Sequence, residues 1–417
     1  MRRFYSALLY CLSPYLLARL WWKGRKLPAY RQRIAERFGY SNKTKQTYDV
    51  WVHAVSLGEV IAAIPLIEGL LQKKKQLLIT TMTPTGAEKI QTHFKQRVTH
   101  RYIPYDLPFA LKRFFNFNRP RLGIIMETEL WPNLITIASQ QAIPLLLLNA
   151  RLSKRSYQGY KKVKFLFKPI LNKFQCILAQ SQDDANHFKQ LGAKVDKVMV
   201  GGNIKFDLQI PPPKPHVLEF DNYLGKNRVR VIVASTHEDE EQQILARLNT
   251  LKARIPNLLL LIAPRHPERF QKVYQLSRKM GFKTTLRSQI NSEVNNEDVI
   301  ILDSIGELLT FYQISHYAFI GGSFVPVGGH NVLEPIAMQV PVFSGKHVHN
   351  FKAICNALNN ANAMILVDNA DDLVARLVEL YNDQGKRQTL INNATRILNE
   401  NKGTVNLYLN KIDAMLN

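Results

Sequence analysis

Between residues 317 and 343 the chain reads Tyr-Ala-Phe-Ile-Gly-Gly-Ser-Phe-Val-Pro-Val-Gly-Gly-His-Asn-Val-Leu-Glu-Pro-Ile-Ala-Met-Gln-Val-Pro-Val-Phe. An apolar run of strand formers, 317–320, meets a loop with four glycines, and a helix opening at Asn331 ends before a second apolar run, 340–343. A strand, a crossover helix and a further strand at this spacing belong in a parallel sheet. Glycines let the backbone come close to a ligand, and a helix N-terminus presents unpaired N–H groups that suit phosphate. Glu334, in the first turn, is placed to accept hydrogen bonds from a ribose diol. The stretch also reads as an ordinary strand–loop–helix joint. His330, Asn331 and Glu334 beside paired glycines tip it towards a ligand site.

The same alternation runs through the whole chain. Strand-like segments at 48–53, 76–81, 122–126, 144–148, 176–180 and 198–200 are separated by helical patterns, and the pattern restarts at 228–235, 258–263 and 299–303. A chain of 417 residues exceeds one ordinary core, so two domains are expected. The proline-rich run at 211–215 marks the linker. The expected layout is a membrane anchor at 1–26, a Rossmann-like domain at 27–208, a linker at 209–222 and a second Rossmann-like domain at 223–400. A last helix within 401–417 is expected to cross back to the first domain.

Net charge is +24, which points to an anionic partner: nucleic acid, an acidic membrane surface or a phosphorylated substrate. Nucleic acid is disfavoured, because the charge is dispersed and aromatic–basic alternation of the stacking kind is absent. The three cysteines, Cys11, Cys176 and Cys355, are far apart without CxxC spacing, and no HExxH pattern occurs. Neither a disulfide framework nor a metal site is required.

Residues 4–22 read FYSALLYCLSPYLLARLWW, with Arg2 and Arg3 before them and Lys23, Arg25 and Lys26 after. No cleavage site for a signal peptide follows. The segment either spans a bilayer once or lies in the headgroup layer. A buried amphipathic helix is the third reading. Arg31, Arg33, Arg37 and Lys73 to Lys75 extend the basic character, as a lipid-facing side would.

Carboxylates gather where strands end. Glu59 follows the first strand at the start of a helix, so it is either a general base or a glutamate that complements the helix dipole. Glu127 and Glu129 follow the 122–126 strand, and in extended chain they share a face. Pro132 fits a first helical turn. The threonine-rich turn 80–86 serves either as a cap or as a sugar contact.

His53-Ala-Val-Ser-Leu-Gly-Glu59, Met126-Glu-Thr-Glu-Leu-Trp-Pro-Asn133, Gly202-Asn-Ile-Lys-Phe-Asp207, Pro264-Arg-His266 and the 321–334 loop, in this order, resemble the lipopolysaccharide Kdo (3-deoxy-D-manno-octulosonic acid) transferases. The resemblance implies a GT-B α/β fold, two doubly wound Rossmann-like domains facing across a cleft, with an N-terminal membrane-anchor helix. It implies metal-independent, inverting transfer of Kdo from CMP-Kdo to a lipid A precursor at the cytoplasmic face of the inner membrane, with no cofactor. Carried over, Glu59 matches the general base and Glu129, or else Glu127, a second essential carboxylate. Lys205 matches a transition-state stabiliser. Pro264 and Arg265, then Ile305, Gly306 and Glu307, then Asn331, Val332, Leu333 and Glu334 match the CMP-binding segments. Val332 and Ile305 depart from the proline and methionine expected there. The alternatives are another GT-B nucleotide-sugar enzyme such as an epimerase, or a basic nucleic-acid-binding protein.

Overall fold

In the computed structural model, residues 1–40, 45–208, 215–225, 227–290 and 296–416 are described, with single positions 212 and 294. The chain divides into two compact units, Met1–Asp207 with Asn401–Asn417, and Leu208–Glu400. Residues 209–211, 213 and 214 of the proline-rich stretch lie outside the described residues, and a helix runs from Pro215 to Tyr223.

The first unit is built on strands β1 (Gln46–His53), β2 (Leu77–Thr81), β3 (Thr99–Tyr102), β4 (Asn118–Met126), β5 (Leu145–Ala150), β6 (Phe174–Ala179) and β7 (Val198–Val200). They form one sheet in the order β3-β2-β1-β4-β5-β6-β7, and every pairing is parallel. Helices cover both faces, which is why β2 and β5 are apolar without alternation and buried throughout. Leu145 and Leu147 point into one core with Trp51, while Leu146 and Leu148 point into the other with Val50 and Val52. The strand order reverses between β1 and β4, the kind of place where open parallel sheets bind ligands.

The second unit repeats the plan with β8 (Val229–Thr236), β9 (Leu258–Pro264), β10 (Thr284–Leu286), β11 (Val299–Ile301), β12 (Tyr317–Ile320), β13 (Val342–Ser344) and β14 (Ile365–Leu366). Their order is β10-β11-β9-β8-β12-β13-β14, again all parallel, with the reversal between β8 and β12.

The helix Thr404–Leu416 belongs to the first unit. Tyr408, Leu409 and Ile412 are buried in the core that holds Val50 and Val52. The Tyr408 hydroxyl accepts from Asn149 N (2.9 Å) and donates to the Gly202 carbonyl (3.3 Å), while Asp207 accepts from Gly403 N (2.6 Å) ahead of the helix.

The N-terminal helix Arg2–Lys26 lies along the same unit. Ser6 donates to Asn133 Oδ1 (3.1 Å), and Leu20 is buried with Tyr105 and Leu107. Its other side leaves Phe4 (74% exposed), Tyr15, Leu17, Trp21 and Trp22 (70%) uncovered. Among the described residues no helix is long and apolar enough to cross a membrane. The basic residues expected to face lipid are largely committed elsewhere. Arg37 is 1% exposed and donates to the Met82 carbonyl, Arg33 pairs with Glu36, and Lys73 pairs with Asp413. Arg31 stacks on Trp21.

Candidate active site

In the first unit the helix Leu57–Gln72 starts with a capping box, Ser56-Leu-Gly-Glu59. The Ser56 hydroxyl oxygen accepts from Glu59 N (3.3 Å) and the hydroxyl donates to Glu59 Oε1 (2.8 Å), while Glu59 Oε2 accepts from Val55 N (2.9 Å). Glu59 is therefore 8% exposed and locked in orientation at the end of β1. Burial, then the charge of Glu129 and more weakly that of Glu127, push its carboxyl up to about 7, against the two hydrogen bonds.

Glu127 and Glu129 follow β4, across the reversal point from Glu59. They do not share an extended face. Glu127 takes φ +55°, so the chain bends at once on leaving the strand. Glu129 Oε2 then accepts from the indole N–H of Trp131 (2.6 Å), which precedes the helix Pro132–Gln140, with Pro132 in its first turn. Burial and the neighbouring Glu127 raise the Glu129 carboxyl. Lys205 sits in the turn after β7, where Asn203 Oδ1 accepts from its backbone N–H (3.1 Å). Burial lowers the Lys205 ammonium, chiefly opposed by the attraction of Glu127 and, more weakly, of Glu59. Glu59, Glu127, Glu129 and Lys205 thus form one electrostatic group. Arg151, after β5, acts on it as well. Its backbone carbonyl receives the Thr128 hydroxyl. The threonine-rich turn proves to be a cap, with Thr83 accepting from Gly86 N (3.2 Å).

The second unit departs further from the sequence expectation. The glycine loop after β12 does not hold its N–H groups open. Glu240, fully buried, accepts from Gly322 N (2.7 Å), Ser323 N (3.0 Å), Phe324 N (2.9 Å) and His237 N (2.9 Å). Gly321 is glycine because a Cβ there would lie 2.8 Å from the Ser235 carbonyl and 2.9 Å from Glu240 Oε2. The helix expected from Asn331 runs only Leu333–Ala337. Asn331, two residues ahead of it, accepts from Leu333 N (3.1 Å) and donates to Glu334 Oε1 (3.0 Å), so one oxygen of Glu334 is already engaged. Burial raises the Glu334 carboxyl against Asn331 and the charge of Arg265. Val332 and Leu333 are buried side chains, and the Leu333 N–H is already taken by Asn331.

Pro264 ends β9, and Arg265 is exposed beyond it, its N–H donating to the Thr236 carbonyl (3.0 Å). Ile305 (77% exposed) and Gly306 follow β11. Glu307 turns inward to Arg287 and the Ser304 hydroxyl. Tyr312, in the helix Leu308–Gln313 that begins there, is buried within the field of Glu334. Sequence reasoning gave no role to Glu240 or His237, and named His266 only as the end of the Pro264-Arg-His266 motif. Their only signal was position, at the carboxyl ends of β8 and β9 beside the reversal point. Among the described residues no group of three or more His, Cys, Asp or Glu is arranged to hold a metal ion.

Residues 32–208 match the family model described as 3-Deoxy-D-manno-octulosonic-acid transferase (kdotransferase), and residues 225–397 match Glycosyl transferases group 1. A 3-deoxy-D-manno-octulosonic acid transferase of Haemophilus influenzae is 41% identical over 100% of this chain and 99% of its own length. The chain belongs to the 3-deoxy-D-manno-octulosonic acid transferase family. As a member of that family it is a glycosyltransferase. Solved structures that are more distant in sequence share the fold alone. A glycosyltransferase from Rickettsia africae matches with TM-score 0.58 at 15% identity, over 90% of this chain and 99% of its own. The UDP-GlcNAc 2-epimerase of Neisseria meningitidis matches with TM-score 0.51 at 14% identity, over 85% and 99%. The epimerase alternative shares the architecture of this Kdo transferase family member and not its family.

Proposed function

We propose that this enzyme transfers Kdo from CMP-Kdo to the lipid A precursor lipid IVA in lipopolysaccharide biosynthesis, by inverting single displacement without a metal. The observation that carries the mechanism is Glu59: buried, fixed by Ser56 and Val55, and held near 7 by burial and neighbouring carboxylates. A base with that affinity takes the acceptor's primary hydroxyl proton as the oxygen attacks the anomeric carbon. Glu129 keeps Glu59 basic, and Lys205 supplies positive charge where the sugar–phosphate bond loosens. In the second unit Arg265, the backbone of 305–307 and the 331–334 segment receive the CMP portion, with Glu334 Oε2 directed to the ribose.

The N-terminal helix supports an interfacial rather than a spanning anchor on the inner membrane's cytoplasmic face. One stripe packs on the protein, and Phe4, Tyr15, Trp21 and Trp22 remain for the headgroup layer. Replacing Trp21 and Trp22 by serine is expected to weaken binding to anionic vesicles by about tenfold or more, measured by flotation, with the far-UV spectrum unchanged. Equal flotation would remove the anchor role.

The test of function is incubation with CMP-Kdo and a tetraacylated lipid A precursor, followed by mass analysis. A product heavier by Kdo is expected. Turnover of a nucleotide sugar without any lipid acceptor would favour the epimerase class instead.

A further inference from the structure

At the reversal point of the second sheet two imidazoles meet. His237, just after β8, and His330, at the end of the glycine loop, place their Nε2 atoms 2.9 Å apart with the ring planes within 1° of parallel. Such a contact requires one proton between the two nitrogens. One ring donates, the other accepts, and each Nδ1 stays outside the bond. The pair is fixed from several sides. The His237 backbone N–H is tied to Glu240 (2.9 Å). Gly322, at φ +66°, packs so closely that a Cβ would meet His330 Cδ2 at 3.0 Å and His237 Cδ2 at 3.3 Å. His266 stands edge-on to His237 at 5.5 Å.

The charges facing the pair are unequal. Arg265 and His266 from the loop after β9 act on both rings, and Arg269 acts on His237 from beyond that loop. Glu240 opposes them, but its carboxylate is already shared among backbone N–H groups. Burial and these neighbours lower both imidazoles, His330 to about 4, so the resting pair is neutral at pH 7. An anion arriving at this edge reverses the balance. The pair can then gain a proton at a free Nδ1 and keep its internal N–H···N bond.

We infer that the His237–His330 pair is a proton reservoir for the donor's phosphate: it takes up one proton when the nucleotide binds and gives it to the leaving group. This rests on the second unit being the CMP-binding edge. The step balances. The acceptor oxygen bonds to the anomeric carbon and its proton passes to the Glu59 carboxylate. The anomeric C–O bond breaks with its electron pair going to the phosphate oxygen. The pair's extra proton moves to that oxygen, and the pair is neutral again. Release of the Glu59 proton to solvent, and proton uptake from solvent at the next nucleotide binding, complete the cycle.

The test is calorimetric titration of the full chain with CMP in buffers of different ionisation enthalpy. Net uptake by the complex, beyond the proton that the free CMP phosphate already carries near its own second pKa of about 6, is expected below pH 8, falling towards zero above it. Cytidine, without phosphate, should bind with no uptake. His330→Gln and His237→Gln should each abolish the uptake and weaken CMP binding about tenfold at pH 6, with little effect at pH 8. In turnover they should lower kcat and leave the KM for the lipid acceptor unchanged. His266→Gln, outside the pair, should retain the uptake. CMP binding with no uptake by the wild-type protein, or the same uptake by His330→Gln, overturns the inference and leaves the donor edge standing. Failure of the wild-type protein to bind CMP at all overturns both.

Discussion

The two units share one plan and put buried carboxylates at the same topological place, yet they use them in opposite ways. In the first unit Glu59 sits after β1, near Glu129 and Glu127, and like charge is concentrated there. In the second, Glu240 sits after β8, and its charge is spread over the N–H groups of His237, Gly322, Ser323 and Phe324. Glu241 is likewise satisfied by Arg269 and Thr236, and Glu307 by Arg287 and Ser304. The exposed cation Arg265 and the histidines are what remain presented. One edge gathers three carboxylates around Lys205 and Arg151 and suits proton removal. The other has its carboxylates neutralised and suits an anion. Doubly wound sheets supply the crevice, and the residues at strand ends decide its sign.

The contrast breaks most directly at Glu59. Glu59→Gln should lower the transfer rate by about 10²–10⁴ while CMP binding, followed by calorimetry, is unchanged. Thermal stability should hold or rise, because the side chain loses a charge that burial disfavours. A rate near wild type would end the general-base assignment. Glu240→Gln should do the reverse to stability. Its amide cannot accept from all the N–H groups that the carboxylate serves, so about 2–4 kcal/mol should be lost, read from the denaturation midpoint. An unchanged midpoint would show that the loop does not depend on that carboxylate.

The pH profile is the next discriminator. Glu59 must be ionised to act, so kcat/KM should rise with pH through a midpoint near 7. Glu129→Gln removes a like charge and should move that limb to lower pH in whatever rate remains; an unmoved limb would separate the two carboxylates. The stability sign is opposite to the activity sign. A carboxyl raised on folding contributes its full stability below the unfolded value of 4.5 and loses it as pH climbs to about 7. The smallest effect is expected at Asp207, which caps the approach to the C-terminal helix. Asp207→Asn should cost about 1 kcal/mol and lower kcat modestly, through the loop that carries Lys205. A larger fall in kcat than in stability would mean that Asp207 does more than hold the loop.

Much of this was legible in the chain. The βα alternation, the parallel sheets and most strand positions follow from apolar runs too short for buried helices and bounded by turn residues. Ser56 to Glu59 is a local capping pattern, and Glu59 appeared at a strand-to-helix junction from sequence alone. The extended reading of Glu127 and Glu129 failed because nothing local announces a left-handed residue at Glu127. The open glycine loop failed for a longer-range reason. The carboxylate that fills it belongs to Glu240, which comes far earlier in the chain. The basic residues near the N-terminus read as a lipid-facing set until their partners, Glu36, Met82 and Asp413, came into view.

By itself the amino-acid order determined the family, the alternating architecture and the strand ends where chemistry gathers, because periodicity, caps and turn residues act over a few neighbours. Tertiary structure alone decided which charges are shared and which are neutralised. It set Glu59 beside Glu129, gave the glycine loop to Glu240, and brought His237 against His330. Burial and Coulomb interaction depend on distance in space, and residues 93 positions apart become neighbours only once the sheet has formed.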